Sequence, residues 1–188
     1  MANEVKHVKF DGRILIVGFG SIGAGVLPLL LRHIDMPVAN ISIITAEERG
    51  REEADRYGVR FTLEPVTREN YVRLLDGLLR GGDSLLNLSI DVSSIALIEY
   101  CAARNIKYLD TCIEPWVGGY TDTSVPPGMR TNYALREAAL AIGRKNPKGP
   151  TAVLTHGANP GMVSHLVKEA LLNIARDTGL KVDTPNNK

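Results

Sequence analysis

The sequence predicts an α/β fold: a doubly wound, mostly parallel sheet of about six strands with helices on both faces. Three observations lead there. Short continuous apolar runs recur along the chain, as strands buried on both faces require. Segments with helical spacing separate them, and parallel neighbours can be joined only by such long right-handed crossovers. Finally, a glycine-rich turn follows the first run directly and opens the first helix.

In order, the strands are expected at Ile14 to Val17, Ile41 to Ile44, Val59 to Thr62, Leu85 to Ile90, Tyr108 to Leu109 with an extension to Ile113, and Ala152 to Thr155. The helices between them are expected at Ile22 to His33, Arg49 to Tyr57, Glu69 to Leu79, Ser93 to Arg104 and Asn132 to Arg144. Each has one apolar stripe: Ile95, Ile98, Cys101 and Ala102 in the fourth, Ala134, Leu135, Ala138 and Ala141 in the fifth. Pro28 removes a backbone donor inside the first helix and predicts a kink or loosened turn there. A last amphipathic helix runs from about Met162 to Arg176, with Val163, Leu166, Val167, Ala170, Leu171 and Ile174 spaced to pack on something, and a polar tail follows from Asp183 to Lys188. The division this suggests is a cofactor domain over 1–160 and, over 161–188, the start of a second, substrate-completing domain absent from this chain.

Composition narrows the function. With 188 residues, 44% of them hydrophobic, the chain can bury one substantial core. Its 22 basic and 21 acidic residues are interspersed, so no block tracks a nucleic-acid backbone or an anionic membrane. Cys101 and Cys112 lack zinc-ligand spacing and are expected to be free thiols, with no metal site. The first residues lack a signal-peptide core and no apolar run is long enough to span a bilayer, which predicts a cytoplasmic protein.

The turn after the first strand reads Gly18-Phe19-Gly20-Ser21-Ile22-Gly23. Gly18 permits the tight turn, Gly20 lets the backbone approach a pyrophosphate, and Gly23 lets the helix pack on the strand. Phosphates then sit at the helix N-terminus, where unpaired N–H groups favour negative charge. This is the dinucleotide signature of a Rossmann-type domain. The tip of the second strand reads Thr45-Ala46-Glu47-Glu48-Arg49 and leaves the cofactor open. Glu47 or Glu48 can hold a ribose 2′-hydroxyl and favour NAD, Thr45 with Arg49 can accept a 2′-phosphate and favour NADP, and both glutamates can equally cap the next helix.

The carboxyl edge of the sheet carries the remaining candidates. Asn87, Leu88 and Ser89 are expected beside the ribose and nicotinamide, with Asp91 pointing to the cofactor or the substrate, or else capping the following helix. Asp110, Glu114 and Trp116 form a plausible amine pocket, because a carboxylate and an aromatic face both hold a cation; Trp116 as lid or core packing is the alternative. In Thr155-His156-Gly157-Ala158-Asn159-Pro160-Gly161, Asn159 is placed to bond the nicotinamide amide or the substrate, or else to shape the turn, and His156 is a proton carrier or a structural residue.

Gly18 to Gly23, Val59-Arg60-Phe61, Asn87-Leu88-Ser89, Glu114-Pro115-Trp116, Asn132-Tyr133-Ala134-Leu135-Arg136 and Gly157-Ala158-Asn159-Pro160-Gly161-Met162-Val163, in this order, resemble the N-terminal portion of bacterial homospermidine synthases. The resemblance implies a saccharopine reductase-like fold, tightly held NAD and a homodimer. It also implies oxidative deamination of putrescine, condensation with a second putrescine (with spermidine as an alternative polyamine substrate), and reduction to homospermidine with loss of ammonia. Carried over, Gly18, Gly20 and Gly23 match the cofactor loop, Asp91 and Asn159 positions beside the nicotinamide, and Glu114 the acidic inner end of the substrate cavity. Thr45 departs, since the resemblance implies aspartate there, and family members are more than twice as long. A saccharopine or carboxynorspermidine dehydrogenase, or a non-catalytic dinucleotide-binding module, are the competing readings; the first calls for arginines at the edge, where Arg130 and Arg136 lie further off than the acids.

Overall fold

A computed structural model describes residues 6–182. The chain runs β1 (Val8–Lys9), β2 (Ile14–Val17), α1 (Ser21–His33), β3 (Ile34–Asp35), β4 (Ile41–Thr45), α2 (Arg51–Arg56), β5 (Arg60–Leu63), α3 (Tyr71–Leu78), β6 (Ser84–Asn87), α4 (Ser94–Arg104), β7 (Lys107–Asp110), α5 (Asn132–Lys145), β8 (Ala152–Val153) and α6 (Met162–Thr178). Six strands form one parallel sheet in the order β5-β4-β2-β6-β7-β8, as the alternation predicts. The chain winds outward from β2 in one direction and then, from β6, in the other. Val17, at the end of β2, lies between Ile44 of β4 and Asn87 of β6, and there the order reverses. At that reversal the crossovers leave to opposite faces and open a crevice beyond the strand ends.

Alternation within a strand builds two cores. Leu15 and Val17 pack with Leu75, Leu97, Ile98 and Tyr108 under α3, α4 and α5. Ile14 and Ile16 pack with Phe19, Leu27, Ile41 and Ile43 under α1 and α2. Because successive side chains of a strand point to opposite faces, four apolar residues in a row serve both layers.

The strand ends differ from the expectation in ways that matter for the site. The fourth strand stops at Asn87 rather than Ile90: Ile90 is exposed and Asp91 has a left-handed backbone, φ 61°, which no strand accommodates. The fifth stops at Asp110, and its expected extension to Ile113 is a loop. The small parallel ribbon of β1 and β3 is too short to leave a periodic signal, and His7 and His33 stack beside it with ring centroids 5.0 Å apart. α1 continues through Pro28 to His33.

α6 is the least buried of the helices. Leu166, Val167, Leu171 and Ile174, the stripe expected to pack, are exposed, and Ala175 is its buried residue. The polar tail lies outside the described residues, apart from which no helix is long and apolar enough to cross a membrane. Both cysteines are free, as expected.

Candidate functional site

The glycine loop sits at the switch point because β2 delivers it there. Gly18 has φ 80°, and a Cβ on it would fall 2.7 Å from the Cα and N of Ser89, so the loops after β2 and β6 touch at a residue that must lack a side chain. Ser89 is held in turn by Asn87, whose carboxamide oxygen accepts from the Ser89 backbone N–H at 3.2 Å and from its hydroxyl at 2.5 Å. The Asn87 side chain, expected beside the cofactor, is buried and engaged with Ser89 and the Tyr108 hydroxyl, leaving Ser89 half-buried at the edge. Leu88 packs against the core under α1.

Gly20 is the N-cap of α1 and offers no side-chain cap to the first turn. A Cβ there would meet nothing within 4 Å, so the start of α1 is open to a close approach at Gly20, as a pyrophosphate on the helix N-terminus requires. Ser21 and Ile22 are exposed on the same turn. Phe19 is buried, edge-on to Phe61, and its ring lies where Gly23 leaves room for it; its part in the loop is to anchor it.

Beside this loop lies a cavity of about 550 Å³ lined by Gly20, Ser21, Ala24, Glu48, Arg49 and Arg51, among others. Thr45 at the strand tip is buried, and its hydroxyl accepts from the Glu47 N–H at 3.4 Å. Glu48 takes the Arg51 guanidinium through both its Nε and its Nη2, the latter at 3.2 Å, and this pairing holds the Glu48 carboxyl below the usual range. The N-cap of α2 is Gly50, so neither glutamate caps that helix by its side chain.

On the other side of the switch point, Asp91 is exposed and borders a second cavity of about 550 Å³ with Thr67, Glu69, Trp116 and Asp122. The N-cap of α4 is Ser93, whose hydroxyl accepts from the Ala96 N–H at 3.3 Å; the capping alternative for Asp91 is therefore overturned. Trp116 both borders this cavity and packs on Tyr71, centroids 5.5 Å apart.

Glu114 is fixed by its backbone. Its N–H donates to the Ser94 hydroxyl at 3.0 Å and its carbonyl accepts from the Ser94 N–H at 2.8 Å. The half-buried carboxylate accepts the Cys112 thiol at 3.4 Å, and among the described residues no lysine or arginine pairs with it. Burial, then Glu114, push the Cys112 thiol up to about 11. Burial and the charge of Glu114 likewise push the neighbouring Tyr120 hydroxyl up to about 12. Tyr120, which no sequence motif marks, has its hydroxyl within hydrogen-bond distance of the Asn132 carboxamide oxygen, 2.7 Å, and of the Ile113 carbonyl, 3.1 Å, and its one proton serves one of them at a time, tying the Glu114 loop to the start of α5.

Asp110 does not belong to this pocket. It is fully buried, accepting from the Tyr108 hydroxyl at 2.8 Å and from the Thr155 N–H at 2.6 Å, because β7 ends beneath the edge rather than on it. His156 and Asn159 are exposed beyond β8. The Asn159–Pro160 bond is cis, and the turn is closed by Gly157 N–H to the Pro160 carbonyl at 3.0 Å and Met162 N–H to the Gly157 carbonyl at 2.8 Å.

Comparison with known proteins agrees with this architecture. The chain is 44% identical over 183 residues to the homospermidine synthase of Blastochloris viridis, covering 96% of this chain and 38% of that protein. It is 42% identical over 190 residues to that of Mesorhizobium japonicum, covering 98% and 39%. The crystal structure of the Legionella pneumophila homospermidine synthase in complex with NAD superposes with a TM-score of 0.82 at 40% identity, over 97% of this chain and 37% of that one. The chain thus spans about two-fifths of the length of these relatives. The saccharopine dehydrogenase NADP-binding domain model matches residues 14–153, from the first residue of β2 to the last of β8. The chain belongs to the saccharopine dehydrogenase NADP-binding domain family.

Proposed function

We propose that this chain is the cofactor-binding part of an NAD-dependent homospermidine synthase acting on putrescine. Residues 1–160 then form the cofactor domain and 161–188 begin the substrate domain. The observation that carries the reading is Glu114, a half-buried carboxylate at the carboxyl edge whose side-chain partner is a neutral thiol and whose charge no described cation answers. A diamine, protonated at neutral pH, supplies that cation.

The residues fit a dinucleotide. The open Cβ position of Gly20 and the uncapped first turn of α1 receive the pyrophosphate, and Ser89, pressed against Gly18, carries the chain toward the nicotinamide half. Bound there, a nicotinamide would supply reversible hydride transfer with the amine-bearing carbon of the substrate. Glu114 orients the ammonium group through a charge-assisted hydrogen bond, Trp116 offers its face to the cation, and Asp91 and Asn159 direct the amine and the carboxamide of the cofactor. A carboxylate-bearing substrate of the saccharopine type would instead meet Glu114 at like charge. The two free thiols suit a reducing cytoplasm, and the exposed face of α6 offers a surface for a homodimer.

The test is mass spectrometry of the nucleotide released on denaturation, together with a putrescine-to-homospermidine assay of this sequence within a chain of the relatives' length. NAD and homospermidine are expected. Glu114→Gln is expected to keep the nucleotide and lower product formation by about a hundredfold or more. Bound NAD without any turnover of putrescine overturns the amine reading.

A further inference from the structure

We propose that Glu48, through its two-pronged pairing with Arg51 at the adenosine end of the cofactor cavity, makes this site choose NAD over NADP. The inference rests on the dinucleotide reading above and deepens it.

The two cofactors differ by one phosphate on the adenosine 2′-oxygen, so the choice is a matter of charge and of which donors are free. A residue at the tip of the second strand is the usual arbiter. Here that residue is Thr45, and it cannot arbitrate: it is buried, and its hydroxyl already accepts the Glu47 N–H. The cavity next to Gly20 and Ser21 is walled instead by Glu48, Arg49, Arg51, Glu52 and Glu53. Glu47 is not part of that wall.

The arginines are the groups a 2′-phosphate would seek. Arg51 presents its Nε and Nη2 to the two oxygens of Glu48, the fork geometry in which guanidinium best holds an anion, so that fork is occupied. Its guanidinium also lies over the Phe61 ring, 4.5 Å from the centroid, which fixes it in place. Glu53 is paired with Arg56 at 3.3 Å. Arg49 is the wall's one cation without an ion pair among the described residues, and Glu52 stands on the same wall with its own negative charge. A 2′-phosphate entering this cavity therefore meets Glu48 at like charge and must displace it from Arg51. A 2′-hydroxyl meets a carboxylate that can accept its proton in a hydrogen bond. Removing the Glu48 charge releases Arg51 beside Arg49 and creates the paired-arginine site that NADP needs.

The experiment is calorimetric titration of NAD and NADP into nucleotide-free protein, comparing wild type with Glu48→Gln, Glu48→Asp and Glu47→Gln. Wild type is expected to bind NAD at least about tenfold more tightly than NADP, and Glu48→Gln to narrow that ratio about tenfold by gaining NADP affinity. Glu48→Asp keeps the charge and is expected to keep the preference; Glu47→Gln is expected to match wild type. A wild-type preference for NADP, an unchanged ratio in Glu48→Gln, or a shift in Glu47→Gln instead overturns the assignment while leaving the dinucleotide reading intact. Binding of neither nucleotide to wild type sinks the dinucleotide reading itself. Glu48 is exposed, so its variants are expected to melt with wild type by circular dichroism.

Discussion

The carboxylate of Asp110 accepts the backbone N–H of Thr155 at 2.6 Å, and Thr155 is one of three non-glycine residues described with a left-handed backbone, φ 54°. Such a conformation costs a β-branched residue of the order of 1 kcal/mol or more and needs outside support. Asp110 gives it twice, since its carbonyl also accepts the His156 N–H at 2.9 Å. Burial raises the Asp110 carboxyl above its ordinary 3.8, outweighing the Thr155 and Tyr108 hydrogen bonds that lower it. The folded state therefore holds this proton more tightly than the unfolded chain. Its contribution to stability is complete below about pH 4 and is lost as pH rises through the folded value. Relative to Asp110→Asn, wild type should gain melting temperature on acidification from pH 7 toward 4. A flat difference across that range sinks the account.

Gly18 and Gly20 should fail differently when changed to alanine. In Gly18→Ala the new carbon meets the Ser89 backbone at 2.7 Å with φ at 80°, so stability and nucleotide binding should fall together, the former by about 2 kcal/mol or more. In Gly20→Ala it meets nothing, so the melting temperature should hold while nucleotide affinity drops about tenfold or more, because the carbon occupies the pyrophosphate's approach. Equal nucleotide affinity in Gly20→Ala and wild type would place the phosphates elsewhere.

Asp83 secures the opposite end of the sheet. Buried between β2 and β6, it accepts the Arg13 N–H and Nε and the Arg80 N–H, each at 2.8 Å. Asp83→Ala should cost about 3 kcal/mol in denaturant unfolding, discounted from a fully buried pair because Arg13 is a third exposed. Nucleotide affinity, set at the far edge, should be unchanged. A cost below about 0.5 kcal/mol would mean the ion pair is idle.

The thiols should be inert. Burial pushes Cys101 up to about 12, and burial with Glu114 pushes Cys112 up to about 11. At pH 8 the Cys112 thiolate is then about two orders of magnitude scarcer than that of an ordinary cysteine, and labelling by a disulfide reagent should be slower by a similar factor. Glu114→Gln should accelerate Cys112 alone. Rapid labelling of native protein at pH 8 would contradict the Cys112–Glu114 contact.

The sheet and its order of elements were legible because apolar runs and helical stripes are local, and the glycine loop because its three positions are spaced by backbone geometry alone. Strand ends were not. Ile90 continues the apolar run of Leu85 to Leu88, yet Asp91 turns left-handed and ends the pairing early. Asp110 and Glu114 look alike as acids four residues apart, but the early end of β7 buries one and leaves the other at the edge. Tyr120, Asp83 and the Glu48–Arg51 fork depend on partners brought together by folding, or on a rotamer, and leave no pattern in the chain.

α6 differs from the sheet in what holds it. Seventeen residues with an exposed apolar face have little beyond their own backbone bonds, whereas most of a helix's stability in a protein comes from packing its apolar face. Its amides should therefore exchange with deuterated solvent on the timescale of helix fraying, whereas those of β2, β4 and β6 should wait for global unfolding. The molecule would then keep two clocks, and whatever comes to cover α6 would be detected by the first of them slowing to match the second.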